Sequence, residues 1–142
     1  MAGRKPYDVI TIGRVSVDVY PQQIGVGLED VTSFGKFLGG SATNVAVAAA
    51  KHGHSAAVIT RTGADPFGKY IHRELLRLGV SDEFVSDVPG LPTPVVFCEI
   101  FPPDDFPLYF YREPKAPDLA INQKELDLGA IHNAKIYWST VT

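Results

Sequence analysis

The stretch Lys36–Gly53, KFLGGSATNVAVAAAKHG, sets two glycines in front of a helix built almost wholly from Ala and Val. The spacing predicts a helix over about 41–52, closed by Gly53. Ala42, Val45, Ala46, Ala49 and Ala50 recur at helical intervals, and their small side chains let such a helix lie close on a sheet. Gly39 and Gly40 carry no Cβ, so a ligand could reach the backbone N–H groups there. Asn44, in the first turn, offers both a donor and an acceptor, which suits a hydroxyl group. The same residues would also serve as a plain tight turn followed by an ordinary first-turn Asn.

Outward from this helix, the pattern alternates between strands and helices. YDVITIG (7–13) and SAAVITRTG (55–63) read as buried strands. ADPFGKYIHRELLRLGV (64–80) carries a complete helix signature: Asp65 as cap, Pro66 in the first turn, Gly79 as stop, and Phe67, Tyr70, Ile71, Leu75 and Leu78 as the apolar stripe. NQKELDL (122–128) reads as a short helix capped by Asn122, and AKIYWSTV (134–141) as a third buried strand holding Tyr137 and Trp138. Such alternation predicts an α/β fold, a parallel sheet with helices on both faces.

Two segments stand apart. RVSVDVYP (14–21) alternates, with Val15, Val17 and Val19 on one face and Ser16, Asp18 and Tyr20 on the other. TPVVFCEIF and PLYFYRE, joined through PPDD, read as a β-hairpin. Together they are expected to form a small projecting sheet, with strands inside 14–38 and 93–115. The chain ends just after its third core strand, so the sheet is expected to have an open edge, as in part of a larger protein.

Composition narrows the function. The 142 residues carry a formal net charge of −3 with a pI near 5.7, and the basic residues are scattered, so a nucleic-acid partner is not expected. No stretch is long enough to span a bilayer, so no membrane partner is expected either. The single cysteine, Cys98, excludes an internal disulfide and a thiolate metal cluster, and fits a reducing, cytoplasmic setting. His52, His54, His72 and His132 show no ligand spacing, and no metal site is expected from them. GVGLED (25–30) has spaced glycines but no strand-to-helix turn to make a dinucleotide site.

Asp18 follows the first strand on a polar face. A carboxylate accepts from two adjacent hydroxyls at once, which suits a polyol, although an exposed strand Asp is commonly just solvated. The ordered series G-x-x-x-x-D (13–18), GG-x-x-x-N (39–44) and G-x-D-x-x-G (63–68) resembles the ribokinase-like, or PfkB, carbohydrate kinases along the whole chain. The resemblance implies a ribokinase-like fold, of which this would be the N-terminal part. It implies sugar binding by Asp18, Gly39, Gly40 and Asn44, with the projecting sheet as a lid and as a homodimer contact.

Within the family, GRVSVDVYP, FLGGSATNVAVAAAKHG and TPVVFCEIFPPDDFPLYFYREPKAPD are most similar to the branch that phosphorylates a keto sugar acid of myo-inositol breakdown. Arg112 matches a lid arginine that holds the acid in related 2-keto-3-deoxygluconate kinases; a solvated edge-strand Arg is the other reading. Arg14 and Lys115 are weaker candidates for the same charge. The activity of a 2-keto-3-deoxygluconate kinase, fructokinase or ribokinase, or a non-catalytic, truncated sugar-binding or dimerisation module, are the alternatives.

In that family a glycine-rich GAGD motif of the C-terminal half supplies an anion hole and the catalytic Asp. The motif is absent from this sequence, and RTGADPFG lacks its second glycine. ATP and Mg2+ are thus implied for a complete enzyme at a site outside this chain. No catalytic residue is assigned, and the chain alone is expected to be inactive.

Overall fold

A computed structural model describes residues 5–140. Five parallel strands make the main sheet: β1 (Val9–Ile12), β4 (Ala56–Gly63), β5 (Val80–Ser81), β6 (Val85–Val88) and β9 (Ile136–Ser139). β4 lies next to β1 and also pairs with both β5 and β6, while β9 pairs with the other side of β1. All eight residues of β4 are buried, because it has strands on either side and apolar layers above and below.

Those two layers are the core. On one face Ala56, Val58, Val80 and Val85 pack against Ala46 of helix α1 (Ser41–Lys51) and against Ile71 and Leu75 of helix α2 (Pro66–Arg77). On the other face Ile10, Ala57 and Ile59 pack against Phe84, Leu126, Ala130 and Ile131, the last two from helix α3 (Leu128–Asn133). Helices therefore cover both faces of the parallel sheet. The Ala-rich composition of α1 follows from its closeness to the sheet: the Thr11 hydroxyl donates to the Ala42 carbonyl at 2.9 Å, and Ala42 and Ala46 are fully buried.

The α2 signature is realised in detail. Asp65 caps the helix by accepting from Gly68 N–H at 2.8 Å, and it also accepts from the Thr93 N–H and hydroxyl at 2.8 and 2.7 Å. Burial pushes this carboxyl up, but the hydrogen bonds from Thr93 and the helix N–H groups override it and hold it below the usual carboxylate value. Phe67, placed by its spacing in the apolar stripe, is instead exposed.

A second sheet contains β2 (Ser16–Pro21), β3 (Phe34–Gly39), β7 (Val95–Cys98) and β8 (Leu108–Tyr111), in the order β3-β2-β7-β8. β2 pairs antiparallel with β3 and parallel with β7, and β7 and β8 form an antiparallel hairpin. Only Gly13, Arg14 and Val15 separate β1 from β2, so the chain passes from one sheet to the other over three residues.

The C-terminal region departs from its sequence pattern in two ways. NQKELDL is not one helix: Gln123–Glu125 is a 3-10 turn with an Asn122/Glu125 capping box, and the helix begins at Leu128 with Asp127 as its cap. β9 is not a buried strand but an edge, with Ile136 and Tyr137 exposed. Its apolar residues reflect a single neighbour, β1, with nothing paired on the other side among the described residues.

Candidate functional site

A cavity of about 440 Å³ lies where the second sheet overhangs the start of α1. Its wall includes Asp18, Gly40 and Arg112, together with Arg14, Ser16, Tyr20, Ser41, Pro94, Cys98 and Phe110. Strand register explains how distant residues meet. Asp18 pairs with Val96, which pairs with Phe110, so the three form one row across the sheet on the same face. Arg112 is two residues beyond Phe110 and returns to that face.

Asp18 is held from two sides. The Ser16 hydroxyl donates to Oδ1 at 2.8 Å, and the Tyr20 hydroxyl reaches Oδ2 at 3.4 Å. Both come from the polar face of the alternating segment. Burial raises the Tyr20 phenol above its ordinary value, and the Asp18 charge adds to it, so Tyr20 is a neutral donor near pH 7. Cys98 is raised first by burial, then by Asp18 and Glu99, and remains a packed thiol that donates to the Glu99 carbonyl.

The two glycines have separate steric reasons. A Cβ on Gly39 would stand 2.1 Å from Asp18 Oδ1, so any side chain there would displace the carboxylate. Gly40 has φ of 102°, and a Cβ on it would stand 2.2 Å from the Arg14 carbonyl oxygen. Gly39 thus leaves room for Asp18, while Gly40 lets β3 turn into α1 against β2. Asn44 is one turn into α1, three residues beyond Ser41, and its exposed side chain is not part of the cavity wall; its N–H donates to the Gly40 carbonyl at 2.8 Å.

The cations differ in how they are engaged. Arg14 makes a two-pronged pair with Asp118, Nε to Oδ1 at 2.9 Å and a terminal nitrogen to Oδ2 at 3.3 Å. Arg112 pairs with no carboxylate among the described residues and rests its guanidinium over the Phe110 ring, 4.5 Å from the centroid. Lys115 is exposed and does not line the cavity.

Sequence reasoning did not single out Ser16, Tyr20, Pro94, Cys98 or Asp118 as site residues. The alternation of RVSVDVYP already put Ser16 and Tyr20 on Asp18's face and was the signal for those two. Asp118, 104 residues from Arg14, left no local signal.

The residues present do not fit a triphosphate. The start of α1 faces the Asp18 carboxylate, which repels an anion, and the donors at the start of α2 are occupied by Asp65. Among the described residues no group of three or more His, Cys, Asp or Glu is placed to hold a metal ion. Hydroxyl groups, which both donate and accept, fit the cavity's mixture of Asp18, Ser16 and Tyr20 far better.

Comparison with known proteins bears on the family and the fold. The family model described as pfkB family carbohydrate kinase matches residues 7–138. The chain is 34% identical over 139 residues to a 5-dehydro-2-deoxygluconokinase of Photobacterium profundum, covering 97% of this chain and 41% of that protein. It is 32% identical over 133 residues to the 5-dehydro-2-deoxygluconokinase of Shouchella clausii, covering 93% and 40%. The chain therefore spans about two-fifths of the length of these curated relatives.

Among solved structures, an uncharacterized sugar kinase from Pyrococcus horikoshii in complex with ATP superposes with a TM-score of 0.82 at 25% identity, covering 92% of this chain and 42% of that one. A PfkB protein from Polaromonas sp. JS666 reaches 0.84 at 23% identity, covering 92% and 44%, and shares the fold. With nearly its whole described length matched to one family, this chain belongs to the pfkB family of carbohydrate kinases.

Proposed function

We propose that the chain is the sugar-binding, N-terminal part of a ribokinase-like domain in an ATP-dependent kinase that phosphorylates 5-dehydro-2-deoxygluconate in myo-inositol breakdown. The observation that carries the reading is the presence of Asp18 and an uncompensated Arg112 on one sheet face lining the same cavity. A carboxylate that accepts from sugar hydroxyls and a guanidinium that holds an acid group match the two ends of a sugar acid. The names of the relatives support the same substrate.

In this reading Asp18, Gly39, Gly40, Asn44 and Arg112 make up the sugar site. The strands within 14–38 and 93–115 close over it as a lid. Asp18 accepts hydrogen bonds from hydroxyls of the sugar, Ser16 and Tyr20 keep its oxygens aimed, and Gly39 keeps the space open. Asn44 closes the rim as the sugar enters. Arg112 draws the acid end toward β8 and so points the far, terminal hydroxyl out of the cavity. Bound ATP with Mg2+ would supply the transferred phosphoryl group, at residues outside these 142. The lid's outer face carries exposed Phe34 and Tyr111, apolar area suited to a second copy of the chain, and a cytoplasmic homodimer is the assembly we infer.

The test is phosphoryl transfer from ATP by the intact protein to 5-dehydro-2-deoxygluconate, 2-dehydro-3-deoxygluconate, fructose and ribose. The reading requires the first acid to be preferred, with Arg112→Gln raising KM for acids and not for neutral sugars. Preference for the other acid would move the assignment to a 2-dehydro-3-deoxygluconokinase. Preference for a neutral sugar would overturn the role of Arg112, and no transfer to any of the four would overturn the sugar-kinase reading.

A further inference from the structure

Two arginines line the cavity, yet their charges are not equally available. Arg14 is locked by Asp118 through two hydrogen bonds, and the side chains of the pair are only 17% and 10% exposed. The Arg14 backbone is also fixed, since its carbonyl accepts from the Thr43 hydroxyl at 3.2 Å and abuts Gly40. Arg112 lies over the Phe110 ring and pairs with no carboxylate among the described residues. A partly buried guanidinium already paired in this geometry has little left to offer an incoming anion, because its donors and its field are spent on Asp118.

We propose that Asp118 is a charge-selecting residue of this cavity: by pairing with Arg14 it leaves Arg112, among the described residues, as the single free cation on the wall. The inference rests on the sugar-acid reading above and adds to it a direction. An acid with one carboxylate is held at the Arg112 end, and an acid with carboxylates at both ends is disfavoured, because its second charge meets Asp18 and a guanidinium already neutralised by Asp118 instead of a free cation. Asp118 touches no substrate in this scheme. It is a positioning residue that acts through Arg14, reached from the segment that follows the β7–β8 hairpin.

The test follows the arginine Nε–H resonances of the intact protein, assigned with Arg14→Lys and Arg112→Lys variants, during titration with sodium gluconate, with sodium glucarate and with sodium acetate. In the unsubstituted protein gluconate and acetate should move the Arg112 signal and leave that of Arg14 in place. In Asp118→Asn, which keeps the shape of the pair, acetate and glucarate should move both signals. The affinity for glucarate relative to gluconate should then rise roughly tenfold. Asp118→Glu should restore the original pattern, which a merely structural role for Asp118 would not require. Should Asp118→Asn lose its dispersed amide spectrum, Asp118→Ser takes its place.

The proposal is overturned if Arg14 responds to acetate while Asp118 is intact, or if neutralising Asp118 leaves Arg14 silent and the glucarate-to-gluconate ratio unchanged. Failure of gluconate to bind, with the acetate pattern present, would sink the sugar-acid reading and leave the charge-selecting pair standing.

Discussion

The two sheets of this molecule are made under opposite rules. In the parallel sheet β4 is buried along its whole length, and its register is enforced by apolar layers on both faces. In the second sheet β8 is exposed along its whole length, and order comes from backbone pairing, ring contacts such as Phe34–Phe97 and Phe97–Tyr111, and polar ties such as Tyr109 to Glu99 at 2.6 Å. The first arrangement is rigid because slipping it exposes its core. The second keeps apolar and polar groups open toward a cavity. Val17 of β2 is fully buried in the core beside Ala46 and Ile71, so the second sheet is anchored at its base and open along β8.

The strongest test of that division compares two leucines. Leu75→Ala, fully buried between α2 and the parallel sheet, should destabilise the fold by about 2–5 kcal/mol, whereas Leu108→Ala, half exposed on β8, should change it by less than about 1 kcal/mol. Urea denaturation of both variants reads the contrast, and equal losses would break it. Next in size, Gly40→Ala forces a side chain into a positive-φ position against the Arg14 carbonyl and should lower stability by about 1–3 kcal/mol at the seam between the sheets.

Asp18→Asn should act in the other currency. The melting temperature should change little, while affinity for the sugar acid falls about tenfold or more in calorimetry, since a charged acceptor is lost from the cavity. The smallest effect concerns acid. The carboxyl of Asp65 is held below its ordinary value in the folded state, so its contribution to stability is full above the ordinary carboxylate value of about 4. That contribution is lost as pH falls through the lowered folded value. Asp65→Asn should flatten this part of the stability-against-pH profile, and an unchanged slope would show that the tie to Thr93 carries no such linkage.

Much of the core was legible because its signals are local. The apolar run of β4, the Asp65–Pro66 start of α2 and the small residues of α1 each state their structure within a dozen positions. β9 misled because an apolar strand reads the same whether it has one neighbour or two. The helix at Leu128–Asn133 was missed because the capping pattern at Asn122–Glu125 was credited with a helix that belongs to the next cap, Asp127. At the candidate site Asp18, Gly39 and Gly40 came from motif spacing, whereas Asp118 came only from folding. No periodicity links it to Arg14.

The three residues from Gly13 to Val15 give the second sheet the mechanics of a lever. Just past that fulcrum Val17 is fully buried in the core cluster that holds Ala46, Ile71 and Leu75, and Val19 packs against the same cluster, so the arm is seated at its root and opens only toward Tyr20. The bolt of the fulcrum is Arg14, clamped to Asp118 by its side chain and to Thr43 by its carbonyl. The wall that Asp18 and Tyr20 give the cavity therefore hangs from a root fixed by core packing as well as by this clamp.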